Sequence, residues 1–313
     1  MNAIAKVGAF AGAVVALGGL GSAVGASVGP VGEPERPTHQ KHAAGSSSQG
    51  GHGGHAGHGA KKAPEATGLN VSQAGYTLDL IEDRPQRSAS ATLRFRILGA
   101  DHEPVTRFET AHGKLLHFIV VRRDLATYEH LHPVMAADGT WSVTADLAAA
   151  GTYRVFADFR PKRSPRQSTQ PAAEAEGLTL GQDLFVAGSY EPETLPPAAT
   201  TSTVSPYEVN LDGHLVVGRT SRLTLTVSRD GEAVTDLEPY LEAYGHLVAL
   251  RDGDLAYLHV HPEGAPGDGR TDPGPEITFS AEVPSAGTYR LFLDFKHAGE
   301  VRTAAFTATA EAH

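Results

Sequence analysis

The sequence predicts an all-β protein that contains two tandem immunoglobulin-like (Ig-like) β-sandwiches. After Gly68, short runs of alternating or β-branched apolar residues are separated by Gly, Pro and Asp turns, and helical periodicity is nearly absent. One block also occurs twice without a gap, as HFIVVRRDLATYEHLHP at residues 117–133 and as HLVALRDGDLAYLHVHP at residues 246–262. Such a repeat is typical of a duplicated structural unit, and 313 residues suffice for two domains with separate cores.

Residues 1–31 are predicted to form a signal peptide or a membrane anchor. Lys6 is followed by an uncharged stretch rich in Ala, Gly, Val and Leu, and Val24 and Ala26 provide the small residues of a signal-peptidase site before Ser27. The alternative is an uncleaved helix, since about two dozen residues rising ~1.5 Å each would cross a hydrocarbon layer of ~30 Å. Both alternatives place the rest of the chain outside the cytoplasm, either secreted or held at the outer face of the cytoplasmic membrane.

Residues 32–67 are predicted to be a disordered tether rich in histidine and glycine. The segment has almost no large apolar residues, so it cannot bury enough surface to fold. Its histidines are His39, His42, His52, His55 and His58. Short His-rich tracts can bind divalent transition ions with several imidazoles, and the alternative is a low-complexity spacer.

The first sandwich is predicted over residues 68–190 and the second over residues 207–311, joined by an extended Pro/Thr-rich linker at residues 191–206. The number and length of the apolar runs match a two-sheet sandwich in each half. The first-half runs are YTLDLI, ATLRFRIL, LLHFIVV, ATYEHLH, WSVTADL, TYRVFADF and DLFVAGS. The second-half runs are YEVNL, RLTLTVS, GHLVAL, AYLHVH, ITFSAEV, GTYRLFLDF and VRTAAFTATA.

A second repeated element, Gly-Thr-Tyr-Arg, begins at Gly151 in the first half and at Gly287 in the second. A glycine turn that leads into an aromatic-rich strand is typical of a tyrosine corner in a β-sandwich. We therefore expect the hydroxyls of Tyr153 and Tyr289 to bond to the backbone and to support the core.

The composition excludes several classes of function. The net charge of −10 and the absence of a Lys/Arg patch argue against nucleic acid as a partner, and against anionic lipid as a partner of the sandwiches. The chain has no cysteine, which excludes disulfides, thiolate metal sites and thiol catalysis. A site for a soft transition metal must therefore rely on histidine.

The repeated block predicts a cluster of histidines on one face of a β-hairpin. In the second copy, Asp252-Gly253 lies between two apolar runs and favours a two-residue type I′ turn, which places His246 opposite His259. His261 follows two residues after His259 and shares its face. Directly opposed Cβ atoms lie roughly 5 Å apart, so the three imidazoles could bind one ion at about 2 Å each.

The first copy predicts the same arrangement for His117, His130 and His132, with a longer turn from Arg122 to Leu125. Three neutral imidazoles suit Cu(II), Zn(II) or Ni(II), and the Irving–Williams order favours copper. The sequence leaves open whether each sandwich holds one site or the two share one. The alternative roles for these histidines are packing at strand ends, pH sensing or partner recognition.

Other histidines are expected to lie outside the shared site. On a straight strand His112 has the opposite parity to His117, and it would join only through a bend at Gly113. Leu241 occupies the corresponding place in the second copy. His297 could supply a fourth ligand in the second copy alone.

The motifs do not predict an enzyme. The sequence has no H-E-x-x-H metal motif, no G-x-S-x-G nucleophile motif, no P-loop and no dinucleotide fingerprint. Glu129 follows the strand alternation and points away from the face of His130. A general base beside the predicted ligands is therefore not expected.

The phrases AYGHLVALRDGDLAYLHVHP and AGTYRLFLDF carry a family resemblance. With the exported start and the His-rich tether, the chain resembles bacterial secreted or membrane-anchored proteins of the heavy-metal-binding-domain type over much of residues 68–311. Its sandwiches are also similar to extracytoplasmic Ig-like domains of the CopC and YtkA-like type, which are associated with copper handling. The resemblance implies a metal-linked role for His117, His130, His132 and their repeats, although the N-terminal histidine or Met-rich copper site of those families is not reproduced.

The sequence thus predicts an extracytoplasmic, non-enzymatic protein that binds transition-metal ions, copper above Zn(II) or Ni(II). A membrane is a further partner only through the N-terminal segment, and the sequence identifies no protein partner. The alternative is a cell-envelope adhesive or scaffolding protein whose histidines are structural.

Overall fold

The structure is a computed structural model that describes residues 66–162, 177–258 and 260–312. These residues form strands, turns and loops, with no α-helix among them. Within the same ranges, no helix qualifies as a membrane-spanning segment. The predicted export segment at residues 1–31 and nearly all of the tether, including its histidines, lie outside the described residues.

The first sandwich, called module 1, consists of two antiparallel sheets. Their strand orders are β1-β2-β3-β8-β7 and β10-β9-β5-β6, with β4 paired to β9. All seven runs predicted for this half are strands. The strands are β1 (Ser72–Gln73), β2 (Tyr76–Leu80), β3 (Ser88–Leu98), β4 (Phe108–Glu109), β5 (Leu116–Arg122), β6 (Tyr128–Leu131), β7 (Val134–Met135), β8 (Trp141–Leu147), β9 (Gly151–Pro161) and β10 (Leu178–Val186).

The second sandwich, called module 2, repeats this plan with two sheets, in which all strand pairs are antiparallel except one parallel pair at a sheet edge. Its sheets have the orders β11-β12-β14-β19-β18, with β15 on β14, and β13-β21-β20-β16-β17. The strands are β11 (Thr201–Val204), β12 (Tyr207–Asp212), β13 (Leu215–Val216), β14 (Thr220–Arg229), β15 (Glu232–Ala233), β16 (Gly245–Arg251), β17 (Tyr257–Leu258), β18 (Val260–Pro262), β19 (Glu276–Glu282), β20 (Gly287–His297) and β21 (Glu300–Glu311). Strand β11 lies inside the range predicted as linker, because it pairs with β12. The predicted class, an all-β chain with two tandem sandwiches, is confirmed.

Strand β5 explains why its sequence is an uninterrupted apolar run. Its seven residues are all buried, although strand side chains alternate between two faces. Phe118 and Val120 pack in the core of module 1, whereas Ile119 and Val121 pack in a separate apolar cluster. Both faces of this sheet are therefore covered, one by its own sandwich and the other by module 2.

The apolar cluster between the modules, called the interface core, draws on both copies of the repeat. Its buried members are Ile119, Val121, Leu125, Phe156, Val248, Leu250, Leu255, Tyr257 and Phe292. The contacts are reciprocal, since Tyr128 of module 1 stacks on Phe292 with ring centroids 3.9 Å apart, and its repeat Tyr257 lies 5.6 Å from Phe156. Equivalent surfaces thus face each other, as in a two-fold symmetric dimer.

The two tyrosine corners are confirmed. The Tyr153 hydroxyl donates a 2.8 Å hydrogen bond to the carbonyl of Ala149, and the Tyr289 hydroxyl donates one of the same length to Ser285. Both tyrosines are buried in the cores of their modules. The repeated Gly-Thr-Tyr-Arg element is therefore structural, and the histidine block is the part of the repeat that remains to be explained.

Candidate metal centre

The hairpin turn of module 2 differs from the sequence prediction. The Arg251 amide bonds to the Ala256 carbonyl, and Ala249 pairs with Leu258, so the loop has four residues and the type I′ prediction for Asp252-Gly253 is wrong. Two interactions favour the longer loop: Asp254 pairs with Arg251 and caps the Ala256 amide, and Leu255 is buried in the interface core. The register shifts by two residues, which preserves the face of the side chains that pair between β16 and β17.

In module 1 the hairpin brings its histidines to one face. Ile119 pairs with His130 and Phe118 with Leu131, again two residues away from the predicted register. His117 and His130 therefore share the face of Ile119, which is the face that packs on module 2.

The second copy of the block follows a different path. Strand β17 ends at Leu258, and the chain then joins the other sheet of module 2, where His261 pairs with Ser280 of β19. His261 is consequently exposed and does not follow the predicted register. His259 lies outside the described residues. His246 stays on β16 and faces module 1, because it has the parity of Val248 and Leu250.

The structure brings His117, His130 and His246 together between the modules. One ring nitrogen from each lies within 4.8 Å of the others. The ring centroids are 5.2 Å apart for His117 and His130, 4.6 Å for His130 and His246, and 5.4 Å for His117 and His246. The sequence predicted a trio in each copy, and in the described residues the closest trio combines two histidines of module 1 with one of module 2.

Two further histidines flank this trio. The ring of His132 lies 4.9 Å from that of His130 and 5.3 Å from that of His117. Its Nε2 atom is buried and has no hydrogen-bond partner. A buried ring nitrogen without a partner is costly unless something else binds it.

His112 reaches the cluster through the bend that the sequence analysis named as its only route. His112 and Gly113 have φ angles of 50° and 71°, and the bridge between Ala111 and Lys114 closes the turn around them. The His112 ring lies 6.0 Å from His117 and 5.9 Å from His246. The expectation that His112 lies apart is wrong, and the His-Gly pair was the signal for this turn.

Hydrogen bonds fix the orientation of the two central rings. The Nδ1 atom of His117 lies 3.0 Å from Nε2 of His130. His117 donates from Nε2 to the Ala111 carbonyl at 3.1 Å, and His130 donates from Nδ1 to Oδ2 of Asp294 at 2.8 Å. Carbonyl and carboxylate oxygens accept hydrogen bonds, so the outer nitrogens carry the protons and the inner nitrogens face each other.

Burial lowers the pKa of three histidines of module 1. Desolvation first, and the charge interaction with His130 second, lower the pKa of His117 to about 3 and the pKa of His132 to about 3. Desolvation also lowers the pKa of His112, against the raising effect of Glu242. Neutral imidazoles retain a lone pair, which is the form that binds metal ions.

His297, the other candidate ligand, is engaged elsewhere. Its Nδ1 accepts a 2.6 Å hydrogen bond from the Tyr207 hydroxyl, and its Nε2 donates to Asp236 at 3.0 Å. Asp294, in contrast, contacts the cluster although the sequence analysis assigned it no role. Its only sequence signal was that Asp158 recurs as Asp294 after the second Gly-Thr-Tyr-Arg element.

Comparisons with solved structures return matches of low similarity. InvD of Yersinia pseudotuberculosis shows 13% identity and a TM-score of 0.24, with 78% of this chain and 59% of InvD covered. The Escherichia coli adhesin FdeC shows 14% identity and a TM-score of 0.22, with coverages of 77% and 65%. MtrC from Shewanella baltica shows 8% identity and a TM-score of 0.24, with coverages of 76% and 70%. The chain thus spans 59% of the length of InvD, and TM-scores this low carry no argument about function.

No curated protein matches the sequence significantly. A family model does match, over residues 70–173 and 202–312, which is more than half of the chain. Its description names no ligand, and these matches give no support to the resemblance with CopC- and YtkA-like domains. The chain belongs to the family described as domain of unknown function DUF8832.

Proposed function

We propose that this protein binds one transition-metal ion, with copper favoured, between its two β-sandwiches. The observation that carries the proposal is the trio of His117, His130 and His246, whose ring nitrogens converge within 4.8 Å from both modules. The inner nitrogens of His117 and His130 lie 3.0 Å apart, which is hydrogen-bond distance. A metal ion between these nitrogens would replace a shared proton and bind the lone pairs of both rings.

The distances suit a first-row metal ion. Two imidazoles bound at about 2.0 Å to a tetrahedral ion have their nitrogens about 3.3 Å apart. The inner nitrogens of His117 and His130 are 3.0 Å apart, so a small outward shift admits an ion. His132, with its buried and unbonded Nε2, is the candidate for a fourth ligand.

The ligand set narrows the metal. Neutral imidazoles without thiolate suit Cu(II), Zn(II) and Ni(II), and the Irving–Williams order places copper first. The proposed role is non-enzymatic, as a metal binder in the extracytoplasmic space to which residues 1–31 would direct the chain. The histidines of the tether remain a sequence prediction for additional binding.

A second candidate function is that of a cell-envelope adhesive or scaffolding protein. The interface core favours it, because apolar residues of both modules already pack the sandwiches together without a metal. In that case the histidines would only complete the packing at one end of this interface.

A titration separates the two candidates. The test uses a variant called the tether-substituted chain, in which metal binding by the tether is removed. It is the full chain with these histidines changed to Asn: His39, His42, His52, His55 and His58. We expect isothermal calorimetry to show one Cu(II) equivalent bound more tightly than about 10 μM, or about 7 kcal/mol. His117→Ala and His130→Ala should each weaken binding about 100-fold, and exposed His214→Ala should not change it.

The outcomes are distinct. The metal proposal fails if the tether-substituted chain binds neither Cu(II) nor Zn(II) with a dissociation constant below about 10 μM. It also fails if His130→Ala binds Cu(II) as tightly as the parent. In either case the scaffold candidate stands. Two equivalent ions per chain would contradict a single centre between the modules.

A further inference from the structure

The cluster contains one interaction that crosses between the modules and involves a carboxylate. His130 of module 1 donates from Nδ1 to Oδ2 of Asp294 in module 2 at 2.8 Å, and both side chains are 2% exposed. The other oxygen of Asp294 accepts a 2.6 Å hydrogen bond from Thr303, its neighbour on the adjacent strand. Asp294 is therefore held on both oxygens and cannot rotate without losing a buried hydrogen bond.

This carboxylate determines which nitrogen of His130 faces the centre. A carboxylate only accepts, so it keeps the proton on Nδ1 and leaves Nε2 directed at His117. The Ala111 carbonyl has the same effect on His117, because it accepts from Nε2 and leaves Nδ1 directed inward. Metal-binding histidines commonly donate their other N–H to a carboxylate or a backbone carbonyl, which fixes the tautomer and the ring plane.

The duplication provides an internal reference for this arrangement. Asp158 is the equivalent residue of module 1: it lies opposite Thr179 on β10, as Asp294 lies opposite Thr303 on β21. Asp158 accepts a hydrogen bond from Thr179 at 3.4 Å, a longer contact than that between Thr303 and Asp294. Each aspartate lies beside a cluster histidine of its own module, Asp158 beside His117 and Asp294 beside His246. The difference is that Asp294 also accepts a hydrogen bond from His130 of the other module.

We propose that Asp294 is the positioning residue of the metal centre, which holds His130 with Nε2 toward the ion and so makes module 2 orient a ligand of module 1. This rests on the proposed function, since the ion is what Nε2 would bind. Module 2 then contributes one ligand, His246, and one positioning carboxylate, while module 1 contributes the remaining ligands.

The test compares Asp294→Ala, Asp294→Asn and the matched control Asp158→Asn in the tether-substituted chain. We expect Asp294→Ala to weaken Cu(II) binding by about 10- to 100-fold, the range for loss of such a partner. Asp294→Asn should lose less, because its amide oxygen can still accept from His130. Asp158→Asn should weaken binding less than Asp294→Ala, because Asp158 lies beside His117 but bonds to Thr179 rather than to a histidine.

Two readouts separate positioning from general damage to the fold. The copper hyperfine coupling in electron paramagnetic resonance should change more for Asp294→Ala than for Asp158→Asn. In the metal-free protein, nitrogen NMR of the histidine rings should show Nδ1 of His130 protonated in the parent and deprotonated in Asp294→Ala. Circular dichroism shows whether each variant is folded.

The proposal is overturned if Asp294→Ala binds Cu(II) with unchanged affinity and spectrum. It is also overturned if Asp158→Asn loses as much Cu(II) affinity as Asp294→Ala. Failure of the proposed function looks different, since the parent chain itself then binds no Cu(II). The NMR measurement needs no metal, so it still decides whether Asp294 sets the protonated nitrogen of His130.

Discussion

The two modules carry the same histidine block and use it differently. In module 1, strand β6 stays paired to β5 as far as Leu131, which keeps His130 on the face toward module 2. In module 2, β17 has two residues and the chain then crosses to the other sheet, where His261 is exposed but close enough for its charge to act on His112. The duplicated sequence therefore gives one histidine cluster between the modules, with an unequal contribution from each half.

This difference shows how a nearly symmetric interface can build an asymmetric site. Reciprocal contacts such as Tyr128 on Phe292 and Tyr257 on Phe156 bring the equivalent faces together. The site at the end of that interface then depends on local strand paths. Four predictions test this comparison, in order of decreasing effect.

The largest effect should come from the interface core. Phe292→Ala removes a ring that is 3% exposed and stacked on Tyr128, and it should lower the free energy of unfolding by about 3–5 kcal/mol. Its counterpart Phe156→Ala should fall in the lower part of that range, because the Phe156–Tyr257 pair is more widely spaced. Urea denaturation measures both. The control is Val134→Ala, because the Val134 side chain is 72% exposed. An equally large loss of stability in that control would contradict the assignment of Phe292 to a stabilising interface core.

The second prediction concerns the unequal ligands of module 2. His246→Ala should weaken Cu(II) binding about 100-fold, or about 2.7 kcal/mol, because it removes one of three converging nitrogens. His261→Ala should change binding by less than about 3-fold, since His261 has left the shared face. Calorimetry on the tether-substituted chain measures both. Equal losses of Cu(II) affinity for the two variants would show that His246 and His261 contribute alike. That result would contradict the difference between the two modules.

The third prediction is a pH dependence that originates in module 1. The pKa of His117 is lowered from 6.5 to about 3, so between these pH values the unfolded chain binds a proton that the folded chain does not. Stability should therefore fall as the pH decreases, by about 2 kcal/mol between pH 7 and pH 5 for this residue. Denaturation in EDTA at the two pH values measures the change. His117→Gln should reduce it, and an unaltered slope in that variant would contradict the assignment.

The smallest effect should be the same in both modules. Tyr153→Phe and Tyr289→Phe each remove one 2.8 Å hydrogen bond to the backbone, and each should cost about 0.5–1.5 kcal/mol. Thermal denaturation measures both, with Cu(II) affinity as a second readout that should not change. A much larger loss in one module would show that the corners, like the histidines, have diverged.

The sequence predicted most of the fold because strand patterns are local. Alternation and turns located all the strands that carry the site, and parity correctly placed His117 and His130 on one face although the predicted register was two residues off. The register error arose at the loop, where the Arg251–Asp254 pair and the burial of Leu255 outweigh the preference of Asp-Gly for a type I′ turn. The excluded His112 joined the cluster because a turn, rather than a straight strand, carries it.

The sequence by itself determined the two sandwiches, the tyrosine corners and the common face of His117 and His130, since each depends on neighbours along the chain. The tertiary structure alone decided that the modules pack through the faces that bear Ile119 and Val248, which unites His117, His130 and His246 in one cluster. It also decided that Asp294 of one module meets His130 of the other. The physical reason is that the hydrophobic effect is non-directional. Apolar patterns along the chain therefore do not specify which faces of two domains pack together or which side chains become neighbours there.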